Sequence, residues 1–220
     1  MKIYHGSKLV IENIKPHGSN PKNDYGPSFY MTTDIESAKS WACKNSSLGV
    51  VNEYRISDKA FSNLKILDLT DKNTYSVLNW IAILLHFREL DSSFVRQYKS
   101  VIEWIKKYYI DVSQYDVVIG YRADDSYFRF PMRFITNELS LEDLEEVFKL
   151  GHLGVQYAFM SNRAIRLLKF EGIIECEDKF LGHYYSIVTR ASKEFDEILN
   201  KPIDIHKTYV LDLMRKEDEH

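Results

Sequence analysis

The sequence predicts an α+β fold, on three observations. Of its 220 residues, 45% are hydrophobic and 14% aromatic, enough apolar surface to bury a sizeable core. Short β-prone segments recur at uneven spacing among helical patterns of varied length, which argues against the regular alternation of a doubly wound sheet. No internal repeat or low-complexity tract interrupts them. At roughly 100–200 residues per domain, the chain is one large domain or one domain with an appendage.

The elements follow in chain order. Residues 1–4 are β-prone and end in a flexible His5-Gly6-Ser7. Residues 16–27 are rich in turn formers, among them Gly18, Pro21, Asn23, Asp24 and Gly26, and are long enough for a binding loop. A strand over 29–32 leads to a helix capped by Thr33 or Asp34, because Ile35, Ala38, Trp41 and Ala42 fall at helical spacing. Strands are expected over 50–56 and 66–69. Two long helices, about 75–90 and 94–109, read as an inserted helical hairpin with Trp80 and Trp104 as core anchors. The apolar run at 115–121 suits a buried strand, and Ser140-Leu141-Glu142-Asp143 resembles a capping box opening a helix to about 150. A strand over 154–160, a short helix from a Ser161 cap to 168, and a strand over 169–175 follow. After Gly182 the chain turns helical and charged, and its last six residues are expected to fray.

Composition narrows function. A net charge of −3 supplies no global basic field for a phosphate backbone, so general nucleic-acid affinity is not expected. Cys43 and Cys176 show no zinc-type or disulfide-framework spacing and are expected to be reduced and mostly buried. The five histidines other than His5 and His220 show no metal-ligand spacing, and no metal is expected. The start of the chain lacks the apolar stretch of a signal peptide, and its longest apolar run is shorter than the roughly 20 residues of a membrane span. A cytoplasmic protein without a membrane partner is expected. The glycine motifs of dinucleotide and phosphate loops are absent, as are Gly-x-Ser-x-Gly and His-Glu-x-x-His.

What remains is a set of polar residues at strand ends: His5-Gly6-Ser7, Gly26-Pro27-Ser28-Phe29-Tyr30-Met31-Thr32-Thr33, and Gly154-Val155-Gln156-Tyr157. In that order they resemble the ADP-ribosyltransferase superfamily, whose His-Tyr-Glu branch has a first-strand His-Gly-Ser/Thr, a second-strand Tyr and a late-strand acid. The resemblance is closest to an uncharacterised bacterial toxin-like family of that superfamily. Asn23-Asp24-Tyr25-Gly26 and Gly120-Tyr121-Arg122-Ala123-Asp124-Asp125-Ser126-Tyr127 carry it.

The resemblance implies a split β-sheet core over residues 1–182, with the helical insertion at about 74–110, and a helical, charged extension over 183–220. It implies an NAD-dependent mono-ADP-ribosyltransferase that serves as the toxin of a bacterial toxin–antitoxin module. NAD would be the substrate, a protein or nucleic acid the acceptor, and a small antitoxin protein the partner. His5 would bind the adenosine ribose, Gly6 the nicotinamide amide through its backbone, and Tyr30 the nicotinamide ring, with Ser7 or Thr32 adding hydrogen bonds. Arg122 would hold the diphosphate. Gln156 stands where the superfamily places Glu; an amide can bind a ribose hydroxyl but cannot offset positive charge. Asp124 or Asp125, beside Arg122 and Arg129, would then supply the charge or activate an acceptor. Each residue also has a plain reading: His5 satisfying a backbone carbonyl, Tyr30 in the core, Gln156 structural, and Arg122 in a local ion pair. The alternatives at the level of function are a catalytically silent NAD-binding or protein-binding module, and an NAD glycohydrolase.

Overall fold

The computed structural model describes residues 1–16, 18–45, 48–123, 128–147 and 154–218. It is an α+β structure with two sheets. One sheet is antiparallel, in the order β1 (Lys2–Ser7), β3 (Val50–Arg55), β7 (Lys169–Glu175). The other runs β2 (Phe29–Met31), β6 (Val155–Phe159), β5 (Val117–Tyr121), β4 (Ile66–Asp68), antiparallel except for the β5–β4 pair. Among the described residues a single antiparallel bridge joins the sheets: Tyr4 and Thr32 exchange backbone hydrogen bonds of 2.8 and 2.9 Å. His5-Gly6-Ser7, expected to be flexible, continues β1, because each of these residues pairs with β3.

Strand alternation assigns each face to a different layer. Between the sheets lie Ile3, Tyr54 and Ile56 from one, and Met31, Val117, Ile119 and Phe159 from the other. On the outer side of the first sheet, Val51 packs against Ala38 and Ala42 of α1 (Ile35–Ala42), which Asp34 caps by accepting from the Glu36 N–H. A Cβ on Gly6 would stand 2.3 Å from the Ala38 carbonyl oxygen, so glycine is what lets α1 cross the strand. Two short helices escape the periodicity of the sequence: α2 (Asp58–Ser62), capped by Ser57, and α6 (Arg129–Ile135).

The other face of the second sheet carries the largest core. Val118 and Ala158 share this core with Trp80, Ile81 and Leu84 of α3 (Val77–Phe87). The expected pair of long helices is three, since Tyr98 separates α4 (Ser92–Gln97) from α5 (Lys99–Lys106) with non-helical backbone. Trp80 and Trp104 are both buried. The Ser140 hydroxyl accepts from the Asp143 N–H at the start of α7 (Leu141–Val147), and residues 148–150 of the expected helix lie outside the described residues. Ser161 caps α8 (Asn162–Ile165) as expected. The segment after Gly182 forms α9 (His183–Leu199) and α10 (Val210–Asp218), whose Ala191, Phe195 and Val210 join the same core. Glu217, in the stretch expected to fray, accepts a hydrogen bond from the Trp104 indole N–H. Among the described residues no helix is long and apolar enough to cross a membrane.

The cysteines depart from expectation. Cys43 at the end of α1 and Cys176 just past β7 form a disulfide with Cα atoms 6.0 Å apart, across a sequence separation of 133. Linear spacing hid the pair because only the packing of α1 across the sheet brings the two ends together. The bridge closes a long loop, so reducing it should cost about 2–5 kcal/mol of stability. Urea denaturation with and without dithiothreitol measures this. Two free thiols titrating in the denatured, unreduced protein would contradict the bridge.

Candidate functional site

Where the two sheets meet, a cleft of about 880 Å³ opens, within the usual size range of small-molecule sites. Its wall is built from β1, the loop over 9–28, β2, α1, the residues that follow α3 and β5, and the start of β6. The loop is pinned to β3, because the Asn52 side chain accepts from the Ile11 N–H at 2.7 Å and donates to the Leu9 carbonyl at 3.0 Å.

Six residues singled out from sequence, His5, Gly6, Tyr30, Thr32, Arg122 and Gln156, line this one cleft. Ser7 lies outside its wall, and its hydroxyl accepts from the Leu9 N–H. Asp124 and Asp125 lie outside the described residues. Arg129 points elsewhere, donating to the Ser192 carbonyl and pairing with Asp196 on α9.

The Tyr4–Thr32 bridge sets His5 beside β2, where its Nδ1 meets the Tyr30 carbonyl oxygen at 2.7 Å and its ring stacks on Phe29. Burial lowers the pKa of the imidazole, the carbonyl contact opposes this, and nearby Arg122 adds to it. A carbonyl only accepts, so Nδ1 carries the proton and the neutral ring keeps Nε2 as an acceptor. The plain reading of His5 thus holds together with its place on the cleft wall.

Tyr30 is anchored by its hydroxyl, which donates to the Gly26 carbonyl at 2.7 Å and accepts from the Tyr25 N–H at 3.0 Å. Burial pushes this phenol well above its ordinary pKa, so it stays protonated. Thr32 is committed to structure: its hydroxyl donates to the Val155 carbonyl and accepts from the Asp34 N–H. The missing side chain of Gly6 makes room for the α1 backbone rather than for a ligand. Arg122 lies over the indole of Trp41, 5.0 Å from the ring, and has no carboxylate partner among the described residues. The local ion pair considered for it, with Asp124 or Asp125, lies outside the described residues.

The centre of the site is a residue to which the sequence assigned no role. Asp24 is buried on the cleft wall, paired with Arg88 through Nη2 at 2.6 Å and Nε at 3.2 Å. It also accepts from the Ala123 N–H at 2.8 Å and from Gln156 Nε2 at 2.8 Å. Arg88 caps α3, so the helical segment expected to be an insertion supplies a wall of the cleft. Beside Asp24, the Tyr25 hydroxyl donates to the Tyr121 carbonyl at 2.8 Å and accepts from the Trp80 indole at 2.9 Å. Gly120 makes room for it, since a Cβ there would stand 2.2 Å from that hydroxyl. The signal was present in Asn23-Asp24-Tyr25-Gly26, whose acid sits among turn formers and reads as a solvated loop residue until its partners are known.

The Asp24–Arg88 pair is largely removed from water, and breaking such a pair from one side strands a buried charge. Arg88→Met should therefore cost about 3–5 kcal/mol, with Asp24→Asn in the same chain recovering part of the loss. Urea denaturation of the two variants and the parent measures this, and a loss under about 1 kcal/mol for Arg88→Met would contradict a buried ion pair.

Residues 1–170 match the family model described as a protein of unknown function, DUF3990. No curated protein and no solved structure matches the chain. The matched span holds every residue of the cleft wall and ends within β7, before α9 and α10. On that match the chain belongs to the DUF3990 family.

Proposed function

We propose that this protein is an NAD-dependent mono-ADP-ribosyltransferase acting from the cleft between its two sheets, in an ADP-ribosyltransferase-like fold. The observation that carries the reading is convergence. His5, Tyr30, Arg122 and Gln156 come from four separate segments, were chosen from sequence for one chemistry, and line one cleft large enough for a dinucleotide.

Transfer breaks the bond between nicotinamide and ribose. The bonding pair leaves with the nicotinamide nitrogen, the sugar passes through an oxocarbenium-like state, and an acceptor nucleophile adds at the same carbon and loses a proton. The protein's part is to hold the dinucleotide and to place polar groups where charge develops. Tyr30, held at its hydroxyl end, offers a fixed ring for the nicotinamide to stack against. His5 offers Nε2 as acceptor to a ribose hydroxyl, Arg122 faces the diphosphate, and Asp124 or Asp125 supplies negative charge. The acceptor is a cellular macromolecule. A toxin role in a two-component bacterial module, with a small protein partner, rests on the sequence resemblance alone.

One observation favours the second reading, a silent NAD-binding module. The buried carboxylate on the described part of the wall, Asp24, is already neutralised by Arg88, and Glu12 stands exposed on the loop. Incubation with labelled NAD and a cell lysate separates the two. Transfer predicts label on a macromolecule and released nicotinamide, both reduced at least tenfold in Tyr30→Ala and Gln156→Ala. NAD bound without label or nicotinamide release would leave the silent module, and nicotinamide release without label would indicate a glycohydrolase.

A further inference from the structure

We infer that Asp24 is a positioning residue that turns the Gln156 amide so that it shows only its acceptor oxygen to the cleft, and that this site requires glutamine rather than glutamate at position 156. The placement stands on geometry alone. The use of that oxygen for a ribose hydroxyl rests on the NAD reading above.

The Gln156 amide nitrogen has two hydrogens, and both are used. One goes to Asp24 Oδ2 at 2.8 Å and the other to the Tyr121 carbonyl at 3.3 Å. Turning the amide over would set its oxygen against a carboxylate and a carbonyl, three acceptors with no proton between them, so the orientation is fixed by chemistry. Asp24 is itself fully occupied, with two donors from Arg88 on Oδ1 and the Ala123 N–H beside Gln156 on Oδ2. With four donors it has no acceptor capacity left for a ligand and acts through Gln156 instead. Oε1 of Gln156 accepts no hydrogen bond among the described residues. The buried side-chain atoms without a partner there are Ser40 Oγ and Arg129 Nε, so Oε1 is open to the cleft that Gln156 lines.

Glutamate at 156 would place a second carboxylate against Asp24. Two such groups in a buried site do not both ionise, and a proton must be taken up to join them. The neighbours cannot relieve this. Arg88, at the end of α3, is held by Asp24 and the Ala123 carbonyl; the Tyr25 and Tyr30 phenols are kept protonated by burial; on the same wall His5 is tied to the Tyr30 carbonyl and the Arg122 guanidinium lies over the Trp41 indole. A residue that reads as a degraded acid is thus the uncharged partner that a displaced acid demands.

The test compares the parent, Gln156→Glu and Asp24→Asn/Gln156→Glu, with urea midpoints from about pH 5 to pH 8 and calorimetric titration with NAD at pH 8. In Gln156→Glu the introduced carboxyl is raised above its unfolded value of about 4.3, so the folded state holds the extra proton. Stability is then full below that value and lost as pH rises through the folded one. The midpoint of Gln156→Glu, relative to the parent, should fall steadily towards pH 8, and NAD affinity there should drop at least tenfold. The double variant, with one carboxylate and an amide facing it, should remove the pH-dependent difference and regain affinity. A Gln156→Glu midpoint that tracks the parent at every pH, or tighter NAD binding by that variant, would overturn the inference. If Gln156→Glu does not fold at pH 8, folding at pH 5 supports the charge clash, and failure to fold at both pH values overturns it. If the parent takes up no NAD, the NAD reading fails while the urea comparison still decides what Asp24 does.

Discussion

A carboxylate taken out of water has to be met by donors, and the four that meet Asp24 come from three places: Arg88 at the end of α3, Ala123 just past β5, and Gln156 on β6. Asp24 itself belongs to the loop before β2. One buried charge therefore ties four segments into a single wall. Its satisfaction costs nothing further only if all four keep their places, and this couples the loop that covers the cleft to the helical core behind it. Tyr25, the next residue, extends the tie by reaching the Tyr121 carbonyl and the Trp80 indole over the bare backbone of Gly120.

The opposite wall depends on packing rather than charge. Gly6 admits α1 against β1, which brings Ala38 and Trp41 to the cleft and Cys43 to Cys176. The Tyr4–Thr32 bridge then sets β1 and β2 side by side, so His5 and Tyr30 meet through a ring nitrogen and a carbonyl. The cleft is the seam between two sheets, held on one side by a satisfied ion pair and on the other by close backbone approach.

Much of this was legible where local chemistry decides. The strand at Lys169–Glu175 and the Asp34 and Ser161 caps depend on near neighbours, and the sequence shows them. What depends on distant partners was hidden. The Cys43–Cys176 bridge, the Asp24–Arg88 pair and the hold of Trp104 on Glu217 join residues far apart in sequence. Gly6 shows a mixed case: the need for a missing side chain was readable, but the atoms that come close are those of α1. Thr32 was chosen for a hydroxyl that the backbone already uses. The candidate site was therefore legible as a set of positions and not as a network, because a network is a property of the fold.

The central claim is that the seam between the sheets holds a dinucleotide. A crystal structure of the chain grown in saturating NAD tests it most directly. The account predicts NAD in the cleft, with the nicotinamide ring against Tyr30 and ribose hydroxyls within hydrogen-bond reach of His5 Nε2 and Gln156 Oε1. An empty cleft at saturating NAD, or a dinucleotide bound away from these residues, would contradict it.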